Sequence, residues 1–206
     1  MLKTIFIDLV LRYKDNPVHA EKLWKEIEDT YSSKSRYYHT LQHLEMMLAE
    51  LEPIKKHIVD WDTLLFTVFY HDFVYISSRR DNEIKSAEKA IEKLKTLGYP
   101  TEKVLKCGNQ IMATKGHRLE IDPDTNFLTD ADLCILGSSW DTYLKYTEQI
   151  QKEYTFYPEI LFKIGRRKVL NHFLDMNRIF KSDYFYARYE QQARQNIEKE
   201  LHILTA

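Results

Sequence analysis

The chain has 206 residues, of which 44% are hydrophobic and 30% are charged, and its formal net charge is −1 at pH 7. This length suits one domain with a sizeable core, and the balanced charge disfavours a dedicated nucleic-acid-binding role. Two cysteines are too few for a disulfide framework or a cysteine-ligated zinc site. No apolar run reaches membrane-spanning length and the N-terminus makes a poor signal peptide, so we expect a cytoplasmic protein without a membrane partner.

Helices dominate the predicted elements, and the predicted fold class is all-α. Only 5 Gly and 5 Pro occur, and no convincing period-2 strand is present. In chain order we expect an apolar segment to residue 13, then helices over 17–31, 38–51, 61–71, 82–97, 101–111, 127–136, 141–154, 158–180 and 184–204. Asn16, and Asp60 or Asp62, are expected to cap the helices that follow them. We interpret residues 1–206 as one domain, with a core over about 36–137 and C-terminal helices over about 140–204 packing on it.

The first candidate for chemistry is the doublet His71-Asp72, which lies in the aromatic run 69–75. A carboxylate beside an imidazole is costly to bury unless it is paired, and a divalent cation would offset that cost. The alternative is a helix end that faces solvent, because short motifs often occur by accident. Partners elsewhere in the chain therefore decide between the two interpretations.

Two further pairs of polar residues interrupt apolar helices. His39 and His43 are four residues apart, which on a helix places both imidazoles on one face. The leucines around them indicate a buried helix, and buried imidazoles need partners. Asp130 is interpreted as a helix-capping residue, whereas Asp132 lies deeper in its apolar run and is the stronger ligand candidate.

Four of these side chains, on three predicted helices, form a candidate metal site: His43, the adjacent His71 and Asp72, and Asp132. Imidazole and carboxylate ligands suit several divalent metals, so the expected cofactor is one or two ions of Mn, Mg, Zn, Fe or Ni per chain. Two histidines and two aspartates leave coordination positions open for water and a substrate oxygen, as in catalytic sites.

In order and context these residues resemble the signature of the HD-domain metal-dependent phosphohydrolase superfamily: a His, a His-Asp doublet and a later Asp on separate helices. The chain is closer still to an uncharacterised bacterial branch, with the motifs YHTLQH at 38–43, HD at 71–72, NE at 82–83, ATK at 113–115 and DADL at 130–133. The resemblance extends to residues 165–167 and the C-terminal helix, so it covers most of the chain. It implies an HD-domain helical bundle with additional C-terminal helices.

The resemblance also implies an activity, which is metal-dependent hydrolysis of a phosphate ester or anhydride of a small molecule. A metal-activated water would attack the phosphorus, and Asp72 is suited to bridge two metals. A nucleotide is the favoured substrate class. The segment 38–43 is similar to the start of cyclic-nucleotide phosphodiesterase sites, which makes His39 the general acid and His43 a ligand.

Four other side chains are expected to serve this site. Arg36 and Lys115 are candidates to hold phosphate oxygens, and Lys115 to stabilise transition-state charge, with a solvated surface charge as the alternative for each. His117 is expected to reach substrate or a second metal. Glu83 is expected to orient a ligand histidine without itself binding the metal. For His117 and Glu83, a loop or cap role is the alternative.

Two other functions fit the same residues. A non-catalytic HD module would bind a nucleotide without turnover, and an HD-fold di-iron oxygenase would need His117 as an additional iron ligand. The expected partner is a phosphorylated small molecule, and a homodimer is left open.

Overall fold

A computed structural model describes residues 1–205, and within them the chain forms ten α-helices and two short 3-10 helices without any β-strand. The all-α prediction is therefore confirmed for this range. In chain order the α-helices are α1 (Leu2–Leu11), α2 (Pro17–Tyr31), α3 (Leu41–Leu51), α4 (Trp61–Tyr70), α5 (Asn82–Thr96), α6 (Thr101–Ala113), α7 (Pro123–Leu133), α8 (Trp140–Glu153), α9 (Glu159–Leu174) and α10 (Asp183–Thr205). The 3-10 helices are Glu52–His57 and Cys134–Gly137, which directly follow α3 and α7.

Side-chain caps begin several helices where the sequence predicts them. Asn16 accepts a hydrogen bond of 2.9 Å from a backbone N–H in the first turn of α2. Asp60, rather than Asp62, caps α4 by accepting from the N–H of Thr63 at 3.2 Å. Each oxygen satisfies a backbone donor that has no partner inside its helix.

Three predicted helix bounds are wrong. α3 begins at Leu41 and not near residue 38, because Thr40 has an extended backbone, so His39 lies before the helix. α7 begins earlier than predicted, at Pro123, and its chain tightens into a 3-10 helix after Leu133. α9 ends at residue 174 rather than 180, because Arg194 binds the carbonyls of 174, 176 and 177 and Glu190 binds the N–H groups of 179–180.

Buried carboxylates hold the backbone that follows α9. Glu190 of α10 accepts hydrogen bonds from backbone N–H groups of residues 179–180 at 2.9 and 3.0 Å. Asp130 of α7 accepts from the N–H groups of Lys181 and Ser182 at 2.7 and 2.8 Å. These carboxylates provide acceptors for the backbone N–H groups of residues 179–182, which therefore need no helical partner. Asp130 therefore does not cap a helix, as the sequence suggests, but holds the two residues that precede α10.

The most enclosed helix is α4, in which every residue from Thr63 to Tyr70 is buried. It packs against α1, α3, α5, α6 and α7. A helix that is apolar on all sides belongs in the interior of a bundle. Its C-terminal end therefore carries His71 into the interior, where the residue is only 1% exposed.

Helix α10 crosses the Cys134–Gly137 turn at very short range. A Cβ atom on Gly137 would lie 2.6 Å from the Cβ of Tyr189 and 2.8 Å from its carbonyl oxygen. Glycine at this position permits the close approach of α10, in addition to the helix stop that the sequence indicates. None of the helices in residues 1–205 combines the length and the apolar character needed to cross a membrane.

Candidate metal centre

Three side chains from different helices converge at one point of the interior. His43 lies in the first turn of α3, His71 directly follows α4, and Asp132 lies in the last turn of α7. These three helices pack against one another. One ligand atom from each side chain lies within 4.8 Å of the other two, so this group could hold a metal ion.

The ligand atoms of this group face each other directly. Nε2 of His43 is 3.2 Å from Nε2 of His71. Oδ1 of Asp132 lies 3.0 Å from the former nitrogen and 3.8 Å from the latter. Oδ2 of Asp72 lies 3.2 Å from Nε2 of His71. Asp72 thus stands beside the three-residue group, where the sequence predicts a fourth ligand.

The hydrogen bonding of His71 determines which of its ring nitrogens faces the cluster. Its Nδ1 donates to the carbonyl of Val68 at 2.9 Å, which leaves Nε2 as the lone-pair nitrogen of the neutral ring. That nitrogen faces carboxylate oxygens of Asp72 and Asp132 and the Nε2 of His43. Such a cluster of acceptors is satisfied by added protons or by a metal ion. A histidine anchored through its other nitrogen is a common metal ligand.

The charges in this cluster are strongly coupled. Burial alone would lower the pKa of His71, but Asp72 and Asp132 outweigh it and raise that pKa to about 9. Burial lowers the pKa of His43. Burial also opposes ionisation of the two aspartates, yet the neighbouring histidines hold both pKa values well below their usual range. The carboxylates are therefore ionised, which favours binding of a cation.

His39 lies beside His43, His71 and Asp132, which we call the metal-binding group, and Glu153 of α8 fixes the orientation of His39. Nδ1 of His39 donates to Oε2 of Glu153 at 2.7 Å, while its Nε2 lies 3.9 Å from Oδ2 of Asp72. Oε1 of Glu153 accepts from three consecutive backbone N–H groups, residues 37–39, at 2.7 to 3.0 Å. Burial would lower the pKa of His39, but the carboxylates of Asp72 and Glu153 outweigh it and raise that pKa above its usual value.

Glu153 is absent from the sequence-based candidates, although a signal for it exists. It follows Tyr143, Tyr146 and Ile150 on the buried face of α8, so it is a carboxylate on an apolar stripe. Burial raises its pKa, but hydrogen bonds from His39 and the backbone prevail and lower it to about 2. The side chain therefore stays ionised and anchors the segment that carries His39.

His117 approaches the same aspartate from the other side. Its Nε2 lies 2.9 Å from Oδ2 of Asp132, whereas His43 contacts Oδ1. Its backbone φ is 46°, the one positive value at a non-glycine residue in the described range. A left-handed backbone costs a side-chain-bearing residue about 1–2 kcal/mol, so packing and hydrogen bonding hold His117 in place.

Arg36 is 7% exposed, and its guanidinium binds backbone carbonyls. It donates to the carbonyl of His39 at 3.2 Å and to that of Phe73 at 3.0 Å. Arg36 thereby links the segment before α3 to the segment after Asp72. These contacts position the candidate acid and use two of the five N–H donors of the guanidinium.

Lys115 and Glu83 lie close to each other, and neither belongs to the three-residue group. Nζ of Lys115 donates to the carbonyl of Arg80 at 2.8 Å and lies 3.7 Å from the carboxylate of Glu83. Glu83 therefore faces a lysine in this structure. These contacts place both side chains at the loop after Asp72.

A cavity of about 430 Å³ adjoins the metal-binding group. His39, His117 and Asp132 contribute to its wall, and most of the remaining wall comes from α8, α9 and the Cys134–Gly137 turn. Of the adjacent Arg166 and Arg167, only Arg166 lines it, since neighbouring residues of a helix point in different directions.

Comparisons with family models, with curated proteins and with solved structures give no match for this chain. The candidate site therefore stands on its own geometry, and membership of the HD-domain superfamily stays a prediction from the sequence.

Proposed function

We propose that this chain is a metal-dependent phosphohydrolase of the HD-domain type, which hydrolyses a phosphate ester or anhydride of a small molecule. The observation that carries the proposal is the convergence of His43, His71 and Asp132 within 4.8 Å, with Asp72 beside them. The order of these residues along the chain is the basis of the resemblance to the HD-domain phosphohydrolases, and that resemblance is what favours hydrolysis.

A divalent cation held by His43, His71, Asp72 and Asp132 would lower the pKa of a bound water and polarise a phosphoryl oxygen. The nitrogen and oxygen donors suit Mn, Mg, Zn, Fe and Ni alike, so the residues fit the group without selecting one metal. His117 and Oδ2 of Asp132 are the ligands available for a second ion.

His39 is the proposed general acid. Because Nδ1 is bound to Glu153, Nε2 is the nitrogen that faces the site. In ester hydrolysis the water oxygen bonds to phosphorus and the bond from phosphorus to the organic oxygen breaks. The proton on Nε2 of His39 then neutralises that oxygen, the proton that the water gives up restores Nε2, and the products are an alcohol and inorganic phosphate.

The cavity next to Asp132 supports a small-molecule substrate, because about 430 Å³ lies within the usual range for ligand pockets. A nucleotide is the class that the family resemblance implies. Arg36 and Lys115 bind backbone carbonyls, and each retains further N–H donors for phosphate oxygens.

The test is release of inorganic phosphate from a panel of nucleotides and other phosphoesters, with each of the candidate metals added. We expect metal-dependent turnover that falls about 10²–10⁴-fold in His39→Asn and is abolished in Asp72→Ala. His57→Ala, which changes an exposed histidine, is the control and should retain wild-type turnover.

Three results would contradict the proposal. Turnover that Asp72→Ala leaves unchanged would exclude this site as its source. Tight nucleotide binding without turnover would favour the sensing module. Oxygen consumption by the iron-loaded protein, without phosphate release, would favour the oxygenase.

A further inference from the structure

The wall of the cavity beside Asp132 is mostly aromatic and apolar. Rings of Tyr75, Tyr146, Tyr154, Phe162 and Phe173 contribute to it. Burial raises the pKa of the three tyrosines, so their hydroxyls stay neutral. A wall of this kind is suited to an uncharged ring, through area burial and ring–ring packing.

The charged side chains of the wall are already paired. Arg166 donates from Nε to Oε1 of Glu200 at 2.7 Å and from a terminal nitrogen to Oε2 at 3.0 Å. His39 and His117 are bound to Glu153 and Asp132. In the part of the chain that the structure describes, the wall therefore includes no cation without a carboxylate partner. A polyphosphate chain would find little charge compensation there.

Gly165 provides a second and independent observation. It lies inside α9 and lines the cavity, yet its backbone has no positive φ and a Cβ added to it would meet no heavy atom within 4 Å. Neither backbone geometry nor protein packing therefore requires glycine, which is a poorer helix former than alanine. Gly165 is exposed and lines the cavity, so a larger side chain there would take up space at the rim of the cavity.

Two apolar side chains of α9 also line the cavity while remaining exposed. Leu161 and Val169 are 55% and 46% exposed. An apolar ligand in the cavity would cover such surface and remove it from water.

We propose that the substrate is a phosphomonoester of a largely apolar alcohol, whose organic group is about the size of one aromatic ring. That organic group fills the aromatic cavity, while the phosphate lies at the metal-binding group. This inference rests on the proposed function and narrows its substrate class. Hydrolysis gives the apolar alcohol and inorganic phosphate, with the proton and bond changes already described.

Three monoesters of primary alcohols test the preference, because their leaving groups have similar intrinsic reactivity: ethyl phosphate, 2-phenylethyl phosphate and adenosine 5′-phosphate. We expect kcat/KM for 2-phenylethyl phosphate to exceed that for ethyl phosphate by about tenfold or more. It should also exceed that for adenosine 5′-phosphate, whose ribose hydroxyls would enter an apolar space. Equal values, or a preference for the adenosine ester, would overturn the inference.

Binding of the product alcohol gives a readout that does not depend on metal or turnover. We expect 2-phenylethanol to bind the metal-free protein in saturation-transfer NMR. Gly165→Leu should abolish that binding and lower the ratio of kcat/KM for the phenylethyl and ethyl esters. Arg167→Leu adds the same side chain to an exposed position of α9 outside the cavity, so it is the matched control.

The outcomes separate the two proposals. Absence of 2-phenylethanol binding, or equal binding by wild type and Gly165→Leu, would overturn the cavity assignment. Binding that depends on Gly165, without hydrolysis of any ester, would support the cavity's ligand class and overturn the hydrolase. Hydrolysis of all three esters at one rate would support the hydrolase and overturn the substrate class.

Discussion

Glu153 determines the orientation of His39 through four hydrogen bonds. One carboxylate oxygen accepts the ring N–H of His39, and the other accepts three backbone N–H groups of residues 37–39. A ring held at Nδ1 presents Nε2 to the site, which is the geometry that a proton donor requires. Glu153 is thus a positioning residue that acts through His39.

The lowered pKa of Glu153 predicts a pH-dependent contribution to stability. Its folded-state pKa is about 2, whereas the ordinary value is 4.5. The unfolded chain therefore takes up this proton first as pH falls. The contribution is complete above pH 4.5 and is lost as pH approaches 2.

Glu153→Gln should remove this dependence, since glutamine does not titrate. Between pH 4.5 and 2, we expect the free energy of unfolding to fall by roughly 2–3 kcal/mol more in the wild type than in the variant. Urea denaturation at several pH values measures the difference. Parallel curves for the two proteins would refute the role assigned to Glu153.

Single residues differ in how visible their roles are in the sequence. His43, His71 and Asp132 could be predicted because each interrupts an apolar run, and a buried polar group needs compensation. The partner of His39 could not be predicted by spacing, because Glu153 lies 114 residues away. The charge of Arg36 alone suggests a phosphate-binding role. Its contacts with the carbonyls of His39 and Phe73 could not be predicted, because they depend on the path of two loops.

At the scale of elements, buried carboxylates organise the connections between helices. Four of them accept hydrogen bonds from backbone N–H groups outside helices: Asp124 from 59–60, Asp130 from 181–182, Glu153 from 37–39 and Glu190 from 179–180. Each is on a helix, and each fixes a segment outside that helix, from 10 positions away for Glu190 to 116 for Glu153. This device explains why helix interiors could be predicted better than helix ends.

Asp130 and Asp132 lie on the same helix, but substitutions at the two positions should have different effects. We expect loss of stability at Asp130 and loss of metal affinity at Asp132. Asp130→Asn replaces an acceptor with an amide that cannot satisfy both N–H groups of Lys181 and Ser182. We expect a loss of about 1–3 kcal/mol in the free energy of unfolding, measured by urea denaturation, with metal affinity unchanged. Loss of metal binding by the folded variant would show that Asp130 belongs to the metal site.

At the scale of the whole molecule, the metal-binding group and the cavity come from different parts of the chain. Helices α3, α4 and α7 supply the group, while α8 and α9 supply much of the cavity wall. The all-α class could be predicted because helical periodicity is a local property. The placement of α8 to α10 could not, since it depends on long-range contacts such as Arg166 with Glu200.

Gly137 allows α10 to pack close to the Cys134–Gly137 turn. In Gly137→Ala the new Cβ would overlap backbone atoms of Tyr189, so α10 must shift. Overpacking of this kind costs about 1–3 kcal/mol, and we expect a lower Tm in thermal unfolding. Gly165→Ala is the control, because its Cβ meets no atom within 4 Å and alanine favours the helix. An equal effect of the two substitutions would contradict the packing role of Gly137.

The proposed function depends on a divalent metal held by His43, His71 and Asp132. Calorimetric titration of metal-free protein with Mn²⁺ or Zn²⁺ tests it most directly, with Asp132→Asn as the variant and Asp141→Asn, at an exposed position of α8, as the control. We expect tight binding by the wild type and the control, and affinity weakened by at least about tenfold to 100-fold in Asp132→Asn. A wild type that binds neither metal, or an Asp132→Asn protein that binds as tightly as the wild type, would exclude a metal site at these residues.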